Sequence, residues 1–196
     1  MLFRSYEGVF IRRRRTERLR ASGEGGQASG EREAVTGLFG LVPHWSADTR
    51  ITRYTYNARS ETVSTKPSFR DAWRRAQHCI VTAESLFEPD WRSGKAVPAC
   101  VARLDGAPMG IAGLWSSWRT PTGETVYSYT MLTVHANHHT LMGQFHKPQD
   151  EKRMVVILPA DRYDEWLDAP PSRSMDFMRA FPAEELQVIG GAATAT

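Results

Sequence analysis

Three short stretches place side chains where they could act together on a substrate. In Asn57-Ala58-Arg59-Ser60-Glu61, an extended chain would put Asn57, Arg59 and Glu61 on one face. That face would carry an amide, a guanidinium fork and a carboxylate, enough for an anion-binding site. The same pattern also suits the polar outer face of an edge strand. The second stretch is Leu86-Phe87-Glu88-Pro89-Asp90-Trp91. A carboxylate packed among aromatic rings is desolvated, and its pKa rises toward values useful in proton transfer; an exposed turn glutamate is the plainer reading. The third is "HKPQDEKRMVVILP", from His146 to Pro159. His146 can give or take a proton near neutral pH, and Lys152 and Arg153 can hold an anion. "HANHH" offers His135, His138 and His139 as metal ligands, but the run follows a strand and lacks the HExxH spacing that makes histidines converge. No metal and no cofactor are expected.

The elements that must position these residues read mostly as strands. "CIVTAESLFE", "TVYSYTMLTV" and "RMVVILP" are β-type runs, and "TRYTYNARSETV" begins as one. "AVPACVARLDGAPMGIAGLW" reads as two strands joined at Asp105-Gly106. Ser68 followed by "FRDAWRRAQH" reads as a capped amphipathic helix with Phe69, Ala72, Trp73 and Ala76 on one side. "ADRYDEWLDA" reads as a second, short helix ending near Pro170. Most connections are too short for parallel crossovers. The expected fold is α+β: a largely antiparallel, barrel-like β core with short flanking helices.

Residues 1–36 read as a poorly ordered arm, with "RRRRTERLR" running into the Gly/Ser-rich "ASGEGGQASGERE". Residues 37–185 read as one domain, and 186–196 as a flexible tail. A chain of 196 residues is long enough for one sizeable core. Its 41% hydrophobic and 24% charged content is that of an ordinary soluble globular protein. No apolar run reaches the roughly 20 residues that span a bilayer, and the N-terminus lacks a secretory pattern; a cytoplasmic protein is expected. Cys79 and Cys100 lie in apolar runs with no CxxC pair, as small buried hydrophobes do. The net charge of +3 is carried mostly by arginine, with lysine only at positions 66, 95, 147 and 152. That bias permits a nucleic-acid partner and is equally what a GC-rich coding sequence produces.

Six collinear blocks resemble the SOS-response-associated peptidase family of abasic-site-processing proteins: "GLFGLVPHW", "NARSET", "KPSFRDAWRRAQHCIVTAESLFEPDW", "GIAGLW", "YTMLTVHAN" and "HKPQDEKRMVVILP". They cover residues 37–168. The resemblance implies a barrel-like fold that binds single-stranded DNA carrying an abasic site, as a monomer and associated with the nucleoid. It implies an autoproteolytic peptidase with abasic-site lyase activity. In the family, a cysteine after the initiator methionine is freed by self-cleavage. Its amine and thiol then close on the ring-opened sugar as a thiazolidine. Matched by motif, Asn57 would orient the N-terminal residue, Glu88 would serve self-processing and proton transfer, and His146 would transfer protons at the sugar. Trp45, Arg59, Thr133 and Arg153 would form the DNA-binding set.

The sequence departs from the family at its start, Met1-Leu2-Phe3-Arg4, with leucine at the cysteine position. Cys79 and Cys100 cannot substitute, because thiazolidine closure needs amine and thiol on one residue. Crosslinking is therefore expected to be impaired, or the gene model to begin too late. Two other functions compete: a non-catalytic module binding single-stranded DNA reversibly, and a thiol hydrolase built on Cys79 and His146.

Overall fold

A computed structural model describes residues 6–14 and 30–191. Five strands close into a barrel: β1 (Glu7–Arg13), β2 (Arg32–Phe39), β4 (His78–Ala83), β7 (Met109–Arg119) and β8 (Thr125–His135), with β3 (Asn57–Arg59) beside β8. The pairs β1–β2, β1–β4, β4–β7 and β7–β8 are antiparallel. A ring with an odd number of strands cannot alternate direction all the way round. One pair must be parallel, and here it is β2–β8, through Leu38↔Ser128 and Phe39↔Tyr129. The core is thus α+β and barrel-like, as the strand pattern implies.

β8 organises the functional end. Its first half pairs with β7 and β2. Its second half pairs with β9 (Arg153–Val155) on one side and, in parallel, with β3 on the other. The apolar run after Arg153 then changes partner: Val156 donates its N–H to Leu132 and accepts from Ala112, and β10 (Ile157–Leu158) continues along β7. Gly113 lets β7 and β8 close up, because a Cβ there would lie 2.5 Å from the Thr130 carbonyl oxygen. Phe10, Ile80, Ile111, Leu114, Leu132 and Val156 fill the interior. α2 (Tyr163–Asp168) plugs one side with the fully buried Trp166, whose indole N–H donates to the Cys79 carbonyl at 2.9 Å.

A second, three-stranded sheet joins β5 (Leu86–Asp90), β6 (Val97–Arg103) and β11 (Leu186–Gly191). The Asp105-Gly106 turn exists, with Gly106 at φ 72°. The strands on either side of it, β6 and β7, belong to different sheets. The apolar residues of each are satisfied against other strands, which a local turn signal cannot reveal.

Several expectations change. The proposed boundary at residue 36 falls inside β2, and part of the expected arm is the central strand β1. Its arginines are occupied. Arg12 is buried, pairs with Glu33 at 2.7 Å and lies over the Trp115 ring at 4.1 Å; Arg13 forks onto Asp168 and reaches Asp164. Carboxylates brought from β2 and α2 convert a basic run into ion pairs along a strand. The expected tail begins as β11, paired to β6. α1 (Arg70–Arg74) is only five residues long, Phe69 rather than Ser68 stands at its N-cap, and no side chain caps it. "TRYTYNARSETV" begins in the second half of a 3-10 helix, Thr49–Tyr54, and then holds the three residues of β3. Residues 1–5, 15–29 and 192–196, with Leu2, most of the Gly/Ser-rich stretch and the end of the tail, lie outside the described residues.

Candidate functional site

The centre of the site is a carboxyl–imidazole pair. His146 Nε2 stands 3.0 Å from Glu88 Oε2. Glu88 projects from β5 with its side chain only 16% exposed. Strand alternation turns the preceding Phe87 to the opposite, solvent face, where it is 73% exposed. The aromatic neighbour that sequence reasoning assigned to Glu88 therefore does not cover it; burial at the junction of sheet and loop does. That burial pushes the Glu88 carboxyl up to about 7. Burial, then the Lys152 ammonium, holds the His146 imidazole below its usual value. Burial thus favours the uncharged form of both groups, a carboxylic acid donating its proton to a neutral imidazole. The pair can pass a single proton at near-neutral pH, which an exposed glutamate cannot do.

Two features fix His146. Its backbone N–H donates to the Pro89 carbonyl at 2.7 Å, and its φ is +62°, the left-handed region that few non-glycine residues occupy. Next to it, the Lys147 ammonium lies 4.8 Å over the Trp91 ring, which tacks the start of the loop to the end of β5.

A second cluster forms where β3, β8 and β9 meet. Arg153 directs its guanidinium inward, with the side chain 14% exposed. It donates to Thr133 Oγ1 at 3.1 Å and to the Thr133 carbonyl at 2.9 Å. It also pairs with Glu61 at 2.9 Å and with Glu151 at 2.6 Å. Glu151 in turn contacts Arg59 at 2.8 Å and His135 Nδ1 at 2.8 Å, while His135 Nε2 lies 3.2 Å from Glu61. Hydrogen bonding from Arg153, with the charges of Arg59 and His135, holds the Glu151 carboxyl below its usual range.

Of the residues singled out from sequence, Glu88 and His146 meet, and Arg59, Thr133 and Arg153 meet. Glu61 joins the second group although it lies beyond β3 in a turn. Asn57 lies on the exposed side of β3, opposite Met131 of β8; among the described residues no hydrogen bond or ion pair ties it to Glu88 or His146. Trp45 is half exposed on a loop held by the Trp118 indole N–H donating to the Ser46 carbonyl at 2.8 Å. His139 has no role as a ligand: its Nδ1 accepts the Met142 N–H and its Nε2 meets the Phe181 carbonyl, so both nitrogens serve the local fold. Cys79 is fully buried, and burial pushes its thiol well up, which removes it as a nucleophile and corrects the thiol-hydrolase reading. Glu151 was missed. The signal was present, since Glu151 stands two positions before Arg153, a spacing that places both on one side of an extended chain.

The fold and site together are a small closed barrel with a largely buried carboxyl–imidazole pair, Glu88 and His146, and a cluster of paired charges built around Arg59 and Arg153. The chain belongs to the SOS response associated peptidase (SRAP) family, whose model matches residues 5–190. It is 34% identical over 143 residues to the Bacillus subtilis abasic site processing protein YoqW, covering 72% of this chain and 60% of that one. It is 27% identical over 190 residues to the chicken abasic site processing protein HMCES, covering 81% of this chain and 52% of that one. Among solved structures, a protein from Bordetella bronchiseptica is 44% identical, with a TM-score of 0.80, covering 95% of this chain and 84% of that one. The chain spans about 60% of the length of the bacterial curated relatives it matches.

Proposed function

We propose that this protein binds abasic sites in single-stranded DNA and acts on the ring-opened sugar through Glu88 and His146. The observation that carries this reading is the 3.0 Å contact between a carboxyl raised to about 7 and an imidazole. The open-chain sugar presents an aldehyde at C1 and acidic protons at C2. An amine adding to C1 loses water to form an imine, and proton delivery to the departing hydroxyl is a task for the carboxylic acid form of Glu88. Removal of a C2 proton from the protonated imine gives an enamine, whose electron pair then forms the C2–C3 double bond as the C3–O bond breaks and the 3′ phosphate leaves; neutral His146 suits the base. Arg59 and Trp45 supply phosphate and base contacts, and Asn57 orients the attacking end of the chain. The relatives' name, abasic site processing protein, agrees with this chemistry.

In the family the imine is trapped by the thiol of the same residue. Position 2 here is leucine, so a thiazolidine cannot close there and an imine formed there reverts in water. The second reading, reversible binding of single-stranded DNA without lasting chemistry, needs only the exposed Arg59 and Trp45. A denaturing gel of the protein with a single-stranded abasic oligonucleotide separates the two. The expected result is an adduct trapped by borohydride, no heat-stable adduct without it, and a heat-stable adduct from Leu2→Cys. No trapping by borohydride supports the binding module. A heat-stable adduct from the unmodified chain overturns the imine reading.

A further inference from the structure

The cationic cluster at the end of β8 is already occupied by a carboxylate belonging to the chain itself. Arg59 Nη1 lies 2.8 Å from Glu151 Oε2, while Arg153 Nη1 and His135 Nδ1 lie 2.6 Å and 2.8 Å from Oε1. Two guanidiniums and an imidazole thus converge on two oxygens held on one carbon. A phosphodiester also presents two such oxygens on one atom, and bidentate arginine geometry serves both anions. We infer that Glu151 is a built-in stand-in for a DNA phosphate, which the nucleic acid must displace to reach Arg59. This inference rests on the DNA reading above and adds to it a residue that sets affinity.

The surroundings allow that exchange without unfolding anything. The neighbouring Lys152 backbone is clamped on both sides, its N–H donating to Asn137 Oδ1 at 2.9 Å and its carbonyl accepting from Ala136 at 2.8 Å. The position of the Glu151 backbone is therefore fixed, and only its side chain needs to turn. That side chain is 30% exposed and can turn into water. Of its partners, Arg59 is 57% exposed, whereas Arg153 is largely covered and keeps its bonds to Thr133 and Glu61. Among the described residues Glu151 is the only ion-pair partner of Arg59. When Glu151 leaves, Arg59 is freed to meet an incoming phosphate and Arg153 stays behind as the anchor. Protonation does not open the site near neutral pH, because the surrounding cations hold the carboxyl in its charged form. A competing anion does.

The test uses Glu151→Gln, which keeps size and removes charge. Glu124→Gln is the charge control, on the turn at the far end of β8, about 35 Å along the strand from His135. Fluorescence anisotropy with an undamaged single-stranded oligonucleotide at fixed salt should show Glu151→Gln binding about five- to tenfold more tightly than the parent. Glu124→Gln should stay within about twofold. Equal gains from both variants, or weaker binding by Glu151→Gln, overturn the inference; the latter would make Glu151 a scaffold for Arg59. A second readout needs no DNA: added sulfate should raise the melting temperature of Glu151→Gln more than that of the parent. If no protein binds the oligonucleotide, the DNA reading fails. The sulfate response then decides the inference alone, and its absence overturns it.

Discussion

The His146 backbone N–H donates to the carbonyl of Pro89, the residue that follows Glu88, at 2.7 Å. One hydrogen bond thus ties the loop bearing the imidazole to the strand bearing the carboxyl. The left-handed φ of +62° at His146 is what turns its ring back toward Glu88.

That backbone conformation can be tested apart from the ring. Both His146→Ala and His146→Gly remove the imidazole, but only glycine adopts the left-handed region without cost. The glycine variant is expected to be about 1 kcal/mol more stable than the alanine variant in urea denaturation. This is the reverse of the usual order at a surface position. An alanine variant as stable as the glycine variant would show that the loop relaxes and that φ is not imposed by the Pro89 bond.

Glu88 should cost stability at neutral and higher pH. Its carboxyl titrates near 7 in the folded protein, against an unfolded value near 4.5. Between those values the folded state holds more protons, so stability falls as pH rises through the window. The full difference corresponds to about 3 kcal/mol. Glu88→Gln should therefore be more stable than the parent at pH 8 by about 1–3 kcal/mol and near parity at pH 4.5, while losing borohydride-trapped adduct. A pH-independent difference between the two proteins would remove the raised carboxyl.

His78 should do the opposite at acid pH. Its ring is buried, stacked on Trp166 with centroids 3.9 Å apart, and Nε2 meets Ser174 Oγ at 2.9 Å; among the described residues Nδ1 has no hydrogen-bond partner. Burial lowers it to about 4. The unfolded chain binds the proton first, so stability is intact above about 6.5 and is lost as pH falls toward 4, by about 3 kcal/mol at most. Denaturation midpoints of His78→Phe, which keeps a ring on Trp166, should lack that component of the acid loss. An identical pH profile in both proteins would assign the acid sensitivity to other groups.

Arg59 and Arg153 should separate in their effects, although sequence placed them in one DNA-binding set. Arg153→Ala leaves two carboxylates and the Thr133 groups without their shared donor, and should cost about 2–3 kcal/mol of folding stability. Lysine should not rescue it, since no ammonium spans four acceptors. Arg59→Ala removes an exposed side chain and should cost under about 1 kcal/mol while weakening DNA binding. Thermal melts alongside anisotropy check both halves. Equal stability losses would contradict the division of the cluster into anchor and contact.

The strand runs of β4, β7, β8 and β9 were legible because alternation and apolar runs are local signals, and Glu88, His146 and Arg59 could be named from residue type and motif. Local pattern could not say which strands pair. "AVPACVARLDGAPMGIAGLW" looks like a hairpin and is a passage between two sheets. The basic run Arg12–Arg14 looks solvated because its partners Glu33, Asp164 and Asp168 lie far along the chain. The type of each side chain, its strand period and its membership in the family are properties of the sequence itself. Only tertiary structure decided that Phe87 faces water, that Thr133 and Arg153 brace the cluster from within, and that Glu151 fills it. A side chain's charge state and reach depend on what burial removes from water and what partner arrives from a distant strand, and neither is set until the barrel closes.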